Sequence, residues 1–132
     1  MKVKVAILGC SGRMGRNLIQ AAHEHASIEL VGGSVRSSSS FVDFDLGELA
    51  GIGAIGIKTS TTLTQLASAD VFIDFTSIET TLDNLAWCNE NNKALVIGTT
   101  GFSDEQVQVI EQAGKTMPVI LAPNTSVGVN LM

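Results

Sequence analysis

The feature that most constrains this chain is the junction at residues 3–15, where the apolar-rich run VKVAIL leads straight into GCSGRMG. A short apolar run that stops at a glycine turn reads as a buried strand. The residues after the turn then take up helical spacing. A strand that enters a helix through glycines must be followed by a crossover, and that pattern repeats along the chain. Apolar runs at Val3–Leu8, Ile28–Val35, Val71–Phe75, Ala94–Gly98 and Val119–Ala122, with a weaker one at Ile55–Ser60, alternate with helical stretches. Most are continuously apolar (VFIDF, ALVIG, VILA), as strands covered on both faces are. Strand, helix and parallel strand in succession, with right-handed crossovers, give an α/β doubly wound parallel sheet in a single domain.

The helices have their own signals. After the glycine turn, Met14, Leu18, Ala21 and Ala22 are expected on the buried face, with Arg16, Gln20 and Glu24 turned away. Ser77 precedes a stripe of Ile78, Leu82, Leu85 and Ala86, with Glu79, Asp83 and Asn89 outside it. Ser103 with Gln106 three residues on reads as a capping box, followed by Val107, Ile110 and Gly114 on one face. The serine run Ser37–Ser40 and the glycine-rich Gly47–Gly56 read as irregular surface structure. No fixed-period repeat is visible.

Composition removes several classes of function. A net charge of −5 with only eight Lys and Arg disfavours a nucleic-acid partner. No apolar run reaches the roughly 18 residues of a membrane span, so the expectation is a soluble cytoplasmic protein with no membrane partner. Cys10 and Cys88 are far apart and read as reduced thiols. His23 and His25 do not share a helix face and make poor joint metal ligands, so no metal is expected. No serine triad or P-loop lysine can be assembled.

In an open α/β sheet, ligands bind outside the carboxyl ends of the strands, where strand order reverses. Those ends are Gly9–Gly15, Ser34–Arg36, Asp74–Thr76, Gly98–Gly101 and Ala122–Ser126. Gly9 permits a tight turn, Gly12 a close approach of backbone to a pyrophosphate, and Gly15 close packing of helix on sheet. The helix that begins near Gly12 offers its N–H groups to an anion. The spacing G-x-x-G-x-x-G is one residue looser than the usual dinucleotide fingerprint. An acid about 20 residues further on would select NAD. Val35 and Arg36 stand there instead, so a guanidinium is available for a 2′-phosphate and NADP is preferred. Asp74, Phe75 and Thr76, with Gly98, Thr99 and Thr100, are expected under the nicotinamide half. Asp74 is expected to tie down a neighbouring loop rather than act as a base.

Taken in order, GCSGRMGR, VGGSVR, GELAG, DVFIDFT, VIGTTG and NTSVGVN resemble the N-terminal domain of the 4-hydroxy-tetrahydrodipicolinate reductases, the NAD(P)H-dependent enzymes of bacterial lysine and diaminopimelate synthesis. The resemblance runs through essentially the whole chain and implies a Rossmann-like domain. It implies cofactor contacts from Gly9, Cys10, Ser11, Gly12, Arg13 and Met14, from Arg36 at the 2′-phosphate, from Gly98, Thr99 and Thr100, and from Ala122, Pro123, Asn124 and Thr125. Members that use NADH readily often carry an acid where Val35 stands, which puts easy use of NADH in doubt. Thr125 stands where a bulkier aromatic occurs in the family.

The resemblance further implies hydride transfer to a cyclic imine-type substrate, with a histidine and a lysine supplied by a following domain through which the full-length protein forms a homo-oligomer. Nothing in residues 1–132 matches that segment, so no catalytic residue is expected here and the 132 residues alone are expected to be inactive. The competing expectations are a stand-alone dinucleotide-sensing module and a Rossmann reductase of another substrate.

Overall fold

The computed structural model describes residues 2–121. Six parallel strands form one sheet: β1 (Val3–Leu8), β2 (Ile28–Ser34), β3 (Thr59–Ser60), β4 (Val71–Asp74), β5 (Ala94–Ile97) and β6 (Val119–Leu121). Their order is β3-β2-β1-β4-β5-β6. The helices are α1 (Arg13–Glu24), α2 (Leu46–Ala50), α3 (Ile78–Glu90) and α4 (Asp104–Ala113), with a 3-10 turn at Thr64–Leu66.

Alternation along the strands explains the layers. On β1, Val5 and Ile7 point to one face and join Ile19, Ala22, Leu30, Leu46 and Leu49 beneath α1 and α2. Ala6 and Leu8 point to the other and join Phe72, Leu85, Cys88, Ile97 and Ile110 beneath α3 and α4. Both faces are covered, which is why the runs read as continuously apolar. The Phe72 and Trp87 rings meet edge to face at 5.5 Å.

Several expectations need correcting. β2, β4 and β5 each stop one residue earlier than the apolar runs suggest, at Ser34, Asp74 and Ile97. The next residues keep a sheet-like N–H bond, Val35 to Ser60 O (2.9 Å), Phe75 to Leu8 O (3.1 Å) and Gly98 to Asp74 O (2.8 Å), and then leave the sheet. The expected strand at Ile55–Ser60 shortens to Thr59–Ser60 because residues 55–57 wrap α2 instead. Leu46 N–H bonds Ile57 O at 2.8 Å, and the Asp45 carboxylate accepts from the N–H groups of Gly47 (2.8 Å), Glu48 (3.1 Å), Ile55 (3.1 Å) and Gly56 (2.8 Å). The glycine-rich stretch is therefore not irregular surface: it contains α2, whose Leu46, Leu49 and Ala50 are buried.

The buried face of α1 is also rotated from the expected one. Gly15, Ile19 and Ala22 face the sheet, Leu18 is half-buried, and Met14 and Ala21 are exposed. The cause is Gly15: a Cβ there would lie 2.6 Å from Cys10 Cα and 2.7 Å from Gly9 O, so the helix docks along its glycine. A residue without a side chain carries no weight in an apolar stripe, which is why the pattern misplaced the face. On α3, Ala86 is exposed, and the buried set is Thr81, Asn84, Leu85 and Cys88. Ile78 and Leu82 are only half-buried.

Candidate functional site

The sheet changes winding direction between β1 and β4. The connection after β1 crosses by α1 on one face and that after β4 by α3 on the other, so the carboxyl ends of these two neighbours diverge and leave a crevice. Two adjoining hollows occupy it. The first, about 380 Å³, is lined by Gly9, Ser11 and Gly12, by Ser34–Arg36 with Ser38 and Ser39, by Thr61–Leu63, and by Phe75, Thr76, Thr80 and Asn84. The second, about 340 Å³, is lined by Phe75–Ile78 and Gly98–Thr100. They share Phe75 and Thr76.

The glycine loop forms the first wall. Gly9 has φ +76°, the left-handed region, and a Cβ there would lie 2.9 Å from Phe75 O, so only glycine suits both the turn and the contact with the end of β4. The N–H groups of Gly9 and Cys10 bond Ser34 O at 3.1 and 3.0 Å, tying the loop to the end of β2. Arg16 Nε donates to Ser11 O at 3.0 Å and its guanidinium lies 5.4 Å over the Phe41 ring, which braces the loop from outside. A Cβ on Gly12 would meet only Gly9 O, at 3.7 Å, so the backbone is bare on that side.

Gly12 is also the N-cap of α1 and supplies no side-chain bond, whereas Ser77 and Ser103 cap α3 and α4 through their hydroxyls. The first N–H groups of α1 are thus left for an external acceptor, at the positive end of a 12-residue helix.

The expected site residues divide into three groups. Gly9, Ser11, Gly12, Arg36, Phe75, Gly98, Thr99 and Thr100 line the two hollows. Cys10, Arg13 and Met14 do not. The Cys10 side chain is fully buried against Gly33, and burial pushes its thiol up to about 12, so it is no nucleophile at neutral pH. The Arg13 and Met14 side chains are exposed at the start of α1, where only their main-chain N–H groups open toward the loop. Ala122, Pro123, Asn124 and Thr125 lie outside the described residues.

Ser38, Ser39, Thr61, Thr62, Leu63, Thr80 and Asn84 also line the first hollow and were not anticipated. Ser38 and Ser39 were legible as a polar run beside Arg36. The 61–63 segment was not, because it reaches the cleft only through the short β3.

Charge is sparse. Among the described lining residues Arg36 is the one charged side chain, and no Asp or Glu lines either hollow. The carboxylate closest by sequence, Asp74, is fully buried and saturated with donors. Its Oδ1 accepts from Thr76 N (2.8 Å), Thr76 Oγ1 (2.7 Å) and Thr81 Oγ1 (3.1 Å), and its Oδ2 from Asn84 Nδ2 (2.7 Å). It ties the β4 end to α3, as expected of a loop-anchoring acid. Cys88 lies nearby: burial, then the Asp74 charge, push its thiol up to about 12 against the opposing pull of Lys93. Gly98 serves Phe75, because a Cβ there would fall inside the ring.

The family described as dihydrodipicolinate reductase, N-terminus, matches residues 3–125. This chain belongs to that family. Among dihydrodipicolinate reductases, the 4-hydroxy-tetrahydrodipicolinate reductase of Colwellia psychrerythraea is 95% identical over 132 residues, covering 100% of this chain and 49% of the relative. That of Hahella chejuensis is 49% identical over 130 residues, covering 98% and 49%. The chain spans about half the length of these curated relatives. In structure it is similar to the dipicolinate-bound dihydrodipicolinate reductase from Paenisporosarcina sp. TG-14, with a TM-score of 0.72 and 30% identity over 97% of this chain and 49% of that one. The fold, though only the fold, is shared with an aspartate semialdehyde dehydrogenase with NADP from Candida albicans, at a TM-score of 0.70 and 16% identity over 96% and 44% of the two chains.

Proposed function

We propose that residues 1–132 form the NADPH-binding half of a 4-hydroxy-tetrahydrodipicolinate reductase. The observation that carries the cofactor choice is the first hollow: Arg36, at the end of β2, is its one charged lining side chain among the described residues, beside Ser38 and Ser39 and with no carboxylate. A guanidinium flanked by hydroxyls suits a phosphomonoester, and the missing acid removes the group that would bind an unphosphorylated ribose and repel a phosphate. The adjoining hollows, the bare backbone at Gly12 and the open N-terminus of α1 fit a pyrophosphate between two nucleoside halves.

When bound, NADPH supplies a hydride. The chain's own part is to bind and orient: Gly9–Gly12 with the start of α1 hold the pyrophosphate, Arg36 the 2′-phosphate, and Phe75 with Gly98–Thr100 the nicotinamide half. Ala122–Thr125 are assigned to the same half on the family resemblance. On the family resemblance, the proton source for the cyclic imine-type substrate is assigned to a following domain of the reductase, in a homo-oligomer of the cytoplasm.

Calorimetric titration with NADPH and NADH should give tighter binding of NADPH. Equal affinities would remove the role given to Arg36, and failure of both to bind would overturn the cofactor reading. Substrate reduction by the 132 residues alone would overturn the assignment of the proton source.

A further inference from the structure

The buried face of α3 carries an amide that the protein itself only partly uses. Asn84 is 8% exposed and lines the first hollow. Its Nδ2 donates to Asp74 Oδ2 at 2.7 Å, and among the described residues its side chain makes no other hydrogen bond. A carboxamide has two hydrogens on nitrogen and an oxygen that accepts. One hydrogen is committed to Asp74, so the second hydrogen and Oδ1 are left side by side in one plane, on a side chain more than nine-tenths buried. Polar groups left unpaired at that depth are costly, and on the wall of a cleft they mark a place for a ligand. The amide is also held against reversal. A carboxylate only accepts, so turning the amide over would set Oδ1 against Asp74 Oδ2 where little water can relieve it. The other oxygen of that carboxylate is fastened by the N–H and the hydroxyl of Thr76, at 2.8 and 2.7 Å, so Asp74 cannot swing to follow.

We propose that Asn84, locked in one orientation by Asp74, pairs with the 6-amino group of the adenine base and the ring nitrogen beside it, and so makes the first hollow selective for adenine over a 6-oxopurine. The inference rests on the cofactor reading above and extends it to the base. The 2′-phosphate and the base leave adjacent carbons of one ribose, so a hollow that offers Arg36 to the phosphate must also hold the base. The rest of its lining suits a flat ring: Val35, Leu63 and Phe75 are apolar, and no carboxylate is among them. Asn84 Oδ1 accepts from the amino group while the free amide hydrogen goes to the ring nitrogen, the two-bond pairing that a carboxamide makes with adenine. Hypoxanthine has a carbonyl in place of the amino group. A fixed amide meets it oxygen to oxygen, and only a reversed amide could pair with it. Asp74 is a positioning residue: it lines neither hollow and acts through Asn84.

The test compares, by calorimetry on this chain, NADPH with reduced nicotinamide hypoxanthine dinucleotide phosphate, in which a carbonyl replaces the 6-amino group. Adenosine and inosine 2′,5′-bisphosphates, which lack the nicotinamide half, repeat the comparison in the first hollow alone. The native protein should prefer the adenine member of each pair by on the order of tenfold, the scale of one hydrogen bond. Asn84→Ala should bring both ratios close to one by weakening the adenine ligands. Asp74→Asn should free the amide to turn and also bring the ratios close to one, but by strengthening the hypoxanthine ligands, a gain that damage to the fold cannot produce. It carries the test if Asn84→Ala does not fold. Equal binding within either pair by the native protein, or an undiminished ratio in either variant, would overturn the proposal. Failure of the native protein to bind any of the four ligands would instead overturn the cofactor reading.

Discussion

Arg36 is the one charged side chain among the described residues that line the cleft. It stands exposed where the chain leaves β2, and the buried Val35 beside it brings no carboxylate to compete. Arg36→Ala should therefore weaken NADPH by about 1.5–3 kcal/mol, the scale of a charged hydrogen bond, and leave NADH almost unchanged. Paired titrations of the two cofactors would check this, since a general loss of structure would weaken both. The place of Arg36 on the cleft wall was legible in the sequence because it follows from a count along the chain from the glycine loop. The Cys10 and Met14 side chains, which the family resemblance implies as cofactor contacts, do not line the cleft: the fold turns one into the core and the other to solvent.

Among the elements, α4 was the most readable. Its capping box is present as expected, with Ser103 Oγ accepting from Gln106 N at 3.2 Å and Gln106 Oε1 accepting from Ser103 N at 2.8 Å. Both partners are three residues apart, so local geometry alone specifies them. Ser103→Ala should cost about 1 kcal/mol of unfolding free energy, measured by denaturant titration, with little effect on cofactor affinity because the cap is on the solvent side. The faces of α1 and α3 were harder, for different reasons. α1 docks along a glycine that has no hydropathy to register. α3 buries Thr81 and Asn84 because Asp74, seven and ten residues earlier in sequence, lies beneath them. The Asp45 clip is similar: desolvation works against its charged form, but four backbone N–H groups outweigh that and hold it below the usual carboxylate range.

Over the whole molecule, the two thiols give the clearest pH signature. Both are buried, and both are raised from 9.0 to about 12. The folded state thus holds these protons more tightly than the unfolded state does. The stability they contribute is complete below the unfolded thiol value and is lost as pH rises from there toward the folded one. Unfolding free energy should fall above about pH 9, and Cys88→Ser should lessen that fall. A disulfide-exchange reagent at neutral pH should find both thiols unreactive until the chain is unfolded; rapid modification of the native protein would contradict the burial.

The sequence by itself determined the alternation of strands and helices, the parallel sheet, the glycine loop at a strand-to-helix turn and the arginine at the end of the second strand. Each is set by residues close together along the chain, through periodicity, capping and the steric freedom of glycine. Only the tertiary structure decided which face of α1 meets the sheet, that Leu46–Ala50 joins the core, and that Thr61–Leu63 reaches the cleft.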